Sequence, residues 1–200
     1  GVGSALFMAL FRSLIRVFSG QINLQGVSVS GTCKNGSNSA CNYDHLALRA
    51  VSLTNDYIAQ EHGREGMFAT LFFGVLDPLS GKMAYVNAGH EPVIIVNTSG
   101  VIEKLKATGP AVGMMPESKY QAMPIQFEPG DILIGYTDGV TEALSPKKEF
   151  YTKGRFFSIL ENPAPTASKL IEQIKADLSN HMDDAPQFDD ITMLAVHREH

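Results

Sequence analysis

Charged residues are scarce in this chain of 200 residues, where Asp, Glu, Lys and Arg make up 18%, below the roughly 25% of typical soluble domains. The 16 basic and 21 acidic residues leave a net charge of −5 that is spread along the chain. No run is rich in lysine and arginine, which argues against nucleic acid as a main partner. The scarcity of charge predicts a large buried surface, or a surface that a partner covers.

Long apolar runs and metal-binding cysteine patterns are also missing. No apolar run has the length needed to span a bilayer, and the first residues do not form a signal peptide. The two cysteines, Cys33 and Cys41, match no metal-binding spacing. A disulfide between them is one interpretation, but we expect two free thiols in an intracellular protein. The sequence therefore predicts a cytoplasmic protein without direct membrane insertion.

The apolar patterns predict two helices, a series of strands, a further helix and a last strand. The Gly-, Ser- and Asn-rich segment at about 20–43 reads as a loop. Several strands are apolar on both faces, which fits an α+β fold in which a sheet packs against a second sheet and against helices. The predicted helices are 5–18, 44–61 and one that starts at Pro165-Thr166, and the predicted strands are 67–76, 83–89, 93–96, 101–105, 120–127, 131–136 and 191–197.

The first two predicted helices carry wide apolar faces. Ser4 can cap the first of them, and its apolar face is wide enough for two interpretations: a core helix, or a helix shared with a second subunit in a homodimer. On the second helix, apolar residues recur at helical spacing, which predicts one buried face. That face contains Leu46, Ala50, Leu53, Tyr57 and Ile58.

Aspartates stand beside two of the apolar strands. Asp138 follows the strand at 131–136 after one residue, Thr137, and the pair Asp189 and Asp190 directly precedes the last strand. If the two strands are neighbours in one sheet, the carboxylates meet at one edge, where hard oxygen ligands would select Mg²⁺ or Mn²⁺. The simpler interpretation is a strand that ends in an Asp-Gly turn, with no site.

Three ordered motifs carry a resemblance to a known family. NAGHEP (87–92), EPGDILIGYTDGVTEA (128–143) and PQFDDITMLAV (186–196) are similar to the metal-dependent (PPM, type 2C) serine/threonine phosphatases, in particular the bacterial SpoIIE/RsbU branch. The resemblance implies two packed antiparallel β-sheets flanked by helices, an αββα sandwich. It also implies two Mn²⁺ or Mg²⁺ ions whose bound water, with no side-chain nucleophile, attacks phosphoserine or phosphothreonine.

The resemblance assigns expected roles to individual residues. Asp138 and Asp189 match metal-ligand aspartates, and Asp190 matches a supporting position. Gly139 matches the glycine that follows the ligand. His90 matches a motif position for which hydrogen bonding to loop backbone is the expected role.

The resemblance also implies a substrate and a setting. The expected substrate is a phosphorylated regulatory protein of the anti-anti-sigma (STAS) type in bacterial signalling, and the chain would lie in the cytoplasm, either alone or as part of a larger sensor protein. One alternative is a non-catalytic relative of the same fold that binds a partner protein. A two-metal nuclease is a second alternative, although it would require a basic groove.

One departure from the family pattern lies at the start of the chain. Relatives carry a further metal-binding aspartate just before the first apolar helix, where this chain has only residues 1–5, GVGSA. The expectation is a single domain over 1–200 that is N-terminally truncated, without the upstream strands and the first metal-binding motif, and with an insertion at about 20–43. Such a chain would bind metal poorly and have little activity of its own.

Overall fold

The structure, a computed structural model, describes residues 2–20 and 43–199, and in the first helix it describes side chains from residue 5 onward. Apart from its end residues, the predicted insertion lies outside the described residues, as do Cys33 and Cys41. The chain forms two compact units, Gly1–His90 with Ala107–Gln126 and Glu91–Lys106 with Phe127–His200. The helices are α1 (Val2–Phe18), α2 (Tyr43–Glu61), α3 (Asp138–Thr141), α4 (Lys153–Leu160) and α5 (Ala167–Met182), and the strands are β1 (Leu71–Leu76), β2 (Lys82–Ala88), β3 (Val93–Asn97), β4 (Gly100–Leu105), β5 (Met123–Gln126), β6 (Ile132–Tyr136) and β7 (Met193–His197).

The first unit combines α1 and α2 with an antiparallel sheet in the order β1-β2-β5. Asp77 organises the predicted β1–β2 hairpin, because its carboxylate accepts the Leu79 N–H at 3.0 Å and the Ser80 hydroxyl at 2.6 Å. The core of this unit consists of apolar side chains from both helices and from β2. Its fully or nearly fully buried members include Phe7, Phe11, Ala47, Val51, Ile58, Val86 and Ala88.

Helix α2 buries Ala50 and Ile58, as the sequence predicts, but not the rest of the predicted face. Leu53 is 37% exposed and Tyr57 is 41% exposed, whereas Thr54 and Asn55 are fully buried. Asn55 can be buried because its amide donates to Met115 O at 2.9 Å and its Oδ1 accepts the Gly113 N–H at 2.9 Å. A polar residue with a complete set of partners thus lies where the apolar pattern predicted an outward side.

The second unit carries an antiparallel sheet in the order β4-β3-β6-β7 together with α3, α4 and α5. Thr166 caps α5 by accepting the Lys169 N–H, as the Pro165-Thr166 start predicted. Leu170, Ile174 and Leu178 form the buried stripe of α5 and pack into a core with side chains of β3 and β6. One face of α5 is therefore buried and the opposite face is open to solvent.

The predicted α+β architecture, two antiparallel sheets with flanking helices, is confirmed at the level of its elements. The interior strands β3 and β6 are buried along both faces, as their apolar sequences predicted. Boundaries differ at β1, which begins at Leu71 because Ala69 makes only an isolated bridge to Val112. Helix α1 already includes Ser4, so the predicted cap position is wrong. None of the helices in the described ranges is long and apolar enough to cross a membrane.

Candidate active site

Strand β6 delivers Asp138 to the surface. Four of its five residues are buried, and the chain leaves the strand through Thr137, whose extended backbone (φ −88°, ψ 159°) precedes α3. Asp138 is the first residue of α3, and its side chain is exposed. Its Oδ1 accepts the N–H of Gly139 at 3.0 Å. A buried strand thus ends in a carboxylate that is open to solvent.

The loop before β7 brings the second acidic pair to the same sheet edge. Strand β7 is the antiparallel neighbour of β6, with Tyr136 opposite Met193. Beyond that pair, the Thr137 N–H donates to Thr192 O at 3.0 Å and the Thr137 hydroxyl donates to Asp190 O at 2.9 Å. The Thr192 N–H in turn donates to Thr137 Oγ1 at 3.0 Å. The loops that carry Asp138 and Asp190 are therefore bonded directly to each other.

Gly139 allows the two loops to approach closely. A Cβ atom at this position would overlap the carbonyl oxygen of Asp190 and would lie 2.9 Å from its carbonyl carbon. Gly139 is not one of the glycines with positive φ among the described residues. Its role is therefore to leave space for the approach of another backbone segment.

The carboxylates at this edge have the right chemistry for Mg²⁺ or Mn²⁺ but do not form a complete site by themselves. Asp189 and Asp190 are exposed, and Asp189 Oδ1 accepts the N–H of Asp190 at 2.7 Å. In the part of the chain that the structure describes, no group of three or more His, Cys, Asp or Glu side chains could hold a metal ion. These residues fit a part of a divalent metal's ligand set, and further oxygen ligands would be needed to complete it.

His90 belongs to a tight turn in the first unit, whereas the three aspartates belong to the second. The side chain of Asn87 is fully buried, and its Oδ1 accepts the His90 N–H at 2.9 Å. The backbone of Asn87 also accepts the Thr108 N–H at 2.7 Å. Gly89 lies at φ +71°, and a Cβ there would approach the Ala111 N at 3.0 Å. The NAGH motif therefore has a structural basis as a turn.

The next motif residue, Glu91, belongs to the second unit. Its carboxylate accepts two hydrogen bonds from the Lys153 ammonium at 2.9 and 2.8 Å, which joins the motif to the start of α4. Burial raises the pKa of Tyr136, the last residue of β6, and the nearby Glu91 carboxylate raises it further. This hydroxyl therefore stays protonated and uncharged at neutral pH.

The sequence did not predict the hydrogen-bond network that links the segment after α3 to α3 and to Asp177. The segment after α3 folds back, so that the Thr152 N–H donates to Thr141 O and the Tyr151 N–H donates to Ala143 O, both at 2.9 Å. The buried Tyr151 donates its hydroxyl to Asp177 Oδ2 at 2.6 Å. Arg155 donates to both oxygens of Asp177, at 2.7 and 2.9 Å, and lowers the pKa of that carboxyl. No local pattern in the sequence indicates this contact, because Asp177 lies on α5, 26 residues from Tyr151 and 22 from Arg155.

Comparison with known proteins decides the family. Residues 1–199 match the sequence profile of the family described as Stage II sporulation protein E (SpoIIE). The chain belongs to the SpoIIE family. This is a family of metal-dependent PP2C-type phosphatases, so the resemblance that the three motifs predicted is confirmed.

Individual proteins support membership of the SpoIIE family. The chain is 49% identical over 207 residues to Protein IcfG of Synechocystis, which covers 99% of this chain and 32% of that protein. It is 27% identical over 129 residues to the phosphoserine phosphatase RsbP of Bacillus subtilis, which covers 64% of this chain and 30% of that protein. The chain thus spans about a third of the length of these curated relatives.

A solved structure with the same fold is the SiaA-PP2C domain of Pseudomonas aeruginosa. It superposes with a TM-score of 0.74 at 19% sequence identity and covers 98% of this chain and 71% of that chain. At this identity the likeness shows the fold alone. The predicted PP2C-type fold is therefore confirmed.

Proposed function

We propose that this chain is the catalytic region of a metal-dependent protein phosphatase that acts on phosphoserine or phosphothreonine. The observation that carries the proposal is the direct bonding of the Asp138 loop to the Asp190 loop through Thr137, with Gly139 leaving the space for it. A sheet edge that gathers acidic loops in a chain of the SpoIIE family is the natural position for the metal site.

Asp138 and Asp189 are the proposed metal ligands, and Asp190 supports them. The one or two Mn²⁺ or Mg²⁺ ions would supply, when bound, an activated water and positive charge for the phosphoryl group. The chain's own contribution is to hold these carboxylates at an open surface, where a phosphorylated side chain of another protein can reach them. His90 has the supporting role of stabilising the NAGH turn, through its backbone N–H.

The proposed substrate is a phosphorylated regulatory protein of the anti-anti-sigma type. The relative RsbP is named a phosphoserine phosphatase, which supports phosphoserine as the reacting group. The proposed location is the cytoplasm, and the single domain over 1–200 remains a prediction.

Leu6 and Met8 on α1 are 67% and 52% exposed, which leaves an apolar surface for the proposed homodimer.

A non-catalytic partner-binding relative is the second candidate. It is favoured by one observation, because the described residues bring no third ligand side chain to Asp138 and Asp189. A further metal-ligating side chain elsewhere in the complete gene product would favour the enzyme. If the complete gene product carries no such side chain, the binding protein is favoured.

Phosphate release from matched phosphopeptides tests the proposed function. The complete gene product, saturated with Mn²⁺, should release phosphate from phosphoserine and phosphothreonine peptides and should leave the phosphotyrosine peptide intact. EDTA should abolish the release, and added Mn²⁺ should restore it. Release that persists in EDTA would contradict the metal requirement, and a folded, Mn²⁺-saturated protein that releases no phosphate would contradict the enzyme.

A further inference from the structure

The segment 144–150, which we call the arm, forms a closed hairpin between α3 and α4. Leu144 and Phe150 make an antiparallel bridge, and the Ser145 N–H donates to Glu149 O at 2.9 Å. Within the turn, the Lys148 N–H donates to Ser145 O at 2.8 Å, and Lys148 adopts a positive φ of 62°. The two lysines of the arm, Lys147 and Lys148, therefore lie at the end of an ordered turn.

The arm is rooted on the helix that begins with Asp138. The arm begins after Ala143 and ends before Tyr151, and the Tyr151 N–H donates to Ala143 O. The Thr152 N–H donates to Thr141 O, at the last residue of α3. An extended chain spans at most about 3.5 Å per residue, so Lys147 lies within about 14 Å of Ala143. A protein bound at Asp138 would therefore also reach the arm.

Hydrogen bonds anchor the return side of the arm to the surrounding structure. The Tyr151–Asp177–Arg155 network fixes its return strand, and the His181 ring contacts Glu149 O through Nε2 at 3.0 Å. The backbone of Thr152 has φ 72° and ψ 150°, a conformation that residues other than glycine adopt only under strain. An arm anchored in this way loses less conformational entropy than a free loop when a partner binds to it.

The arm carries a small positive net charge, because Lys147 and Lys148 outnumber its one acidic residue, Glu149. Lys147 and Lys148 are exposed and make no ion pair with any residue in the described ranges. The sheet edge of the same unit carries Asp138, Asp189 and Asp190, and the whole chain has a net charge of −5. Phe150, 55% exposed, adds an apolar ring to the same arm.

We propose that the arm is a docking surface for the phosphoprotein substrate, and that it selects substrates with acidic residues next to the phosphorylated side chain. Lys147 and Lys148 would pair with those acidic residues, and Phe150 would pack against apolar surface beside them. When no metal is bound, a phosphorylated, acidic protein is repelled by the acidic sheet edge, and the two lysines offset this repulsion locally. The inference rests on the proposed function, since it names the class of substrate for that site.

A pair of labelled phosphoserine peptides tests the docking surface. One peptide has Asp and Glu on both sides of the phosphoserine, and the other has Lys at the same positions. Binding is measured by fluorescence anisotropy at low ionic strength in EDTA, where no turnover occurs. The chain should bind the acidic peptide about three- to tenfold more tightly than a Lys147→Ala/Lys148→Ala variant does, the range expected for two exposed charge pairs.

A second double variant controls for the change in total charge. Lys169→Ala/Lys175→Ala removes the same charge from exposed positions on α5, and it should bind the acidic peptide as the unmodified chain does. Equal binding of the acidic peptide by the unmodified chain and the arm variant would overturn the proposal, as would an equal loss in the control.

The peptide measurement separates this inference from the proposed function. Hydrolysis of p-nitrophenyl phosphate with Mn²⁺ should be the same in the complete gene product and in its arm variant, because the small substrate does not reach the arm. Lysine-dependent binding of the acidic peptide without any hydrolysis would support the arm and contradict the enzyme. Hydrolysis without lysine-dependent binding would support the enzyme and contradict the arm as a docking surface.

Discussion

Gly139 lies against the backbone carbonyl of Asp190, with no space between them for a side chain. A Cβ on Gly139 would lie 2.9 Å from the Asp190 carbonyl carbon and 3.5 Å from that of Asp189. The contact joins the residue after one proposed metal ligand to the residue after the other. Stability and site geometry are therefore coupled at this single position.

Replacing Gly139 with alanine should push the two acidic loops apart. We expect the free energy of unfolding to fall by about 1–3 kcal/mol, the usual effect of adding a carbon to a packed position. Gly154→Ala is the matched control, because a Cβ there meets only Thr152 Oγ1 at 3.8 Å. Urea unfolding should show the control unchanged or more stable by up to about 1 kcal/mol. Equal stability of the two variants would contradict the close approach.

The hydroxyl of Thr137 should matter more than its methyl group. Thr137→Val removes the bonds to Asp190 O and from the Thr192 N–H, which should lower the free energy of unfolding by about 1–2 kcal/mol. Thr137→Ser keeps the hydroxyl and should retain most of the stability. Thermal unfolding followed by circular dichroism provides the comparison. A valine variant as stable as the serine variant would show that these bonds do not hold the loops.

Glycine should be better than threonine at position 152. Thr152 is strained at φ 72°, which costs on the order of 1–3 kcal/mol, whereas exchanging an N-cap threonine for glycine loses only a few tenths of a kcal/mol. We expect Thr152→Gly to raise the free energy of unfolding by about 0.5–2 kcal/mol after the entropy cost of glycine. Thr152→Ala keeps the strain and loses the cap, so it should be less stable than the natural chain. A glycine variant no more stable than the alanine variant would refute the strain.

The Asp177 network should make stability sensitive to acid. Hydrogen bonds from Arg155 hold the pKa of Asp177 below its ordinary value in the folded chain, so its contribution is present at neutral pH and is lost as the pH falls through the folded pKa. The difference in unfolding free energy between the natural chain and Asp177→Asn should be constant above about pH 5 and narrow below about pH 4. Glu172→Gln, exposed on the same helix, should show a smaller difference. A gap that stays constant down to pH 2 would exclude this role.

Much of the fold could be predicted because its determinants are local. The apolar runs of β3 and β6 lie close to the observed strands, and the strand-end position of Asp138 and Asp189 followed from the same pattern. Ala50 and Ile58 on α2 are buried as predicted, but the burial of Asn55 could not be predicted, since its partners Gly113 and Met115 lie about 60 residues away along the chain. The same applies to Tyr151 and Asp177, whose hydrogen bond depends on how α5 packs.

Asp138→Asn tests the central proposal most directly. In the complete gene product without metal, this variant should keep the thermal unfolding temperature of the natural protein, because the side chain is exposed; activity is then measured with saturating Mn²⁺. Its release of phosphate from a phosphoserine peptide should fall by about 100-fold or more, the effect of losing a group that positions transition-state charge. The control is Asp184→Asn, which changes an exposed aspartate before the loop that carries Asp189 and Asp190. It should retain full activity. Full activity in Asp138→Asn would contradict the account, and an equal loss in Asp184→Asn would do so too.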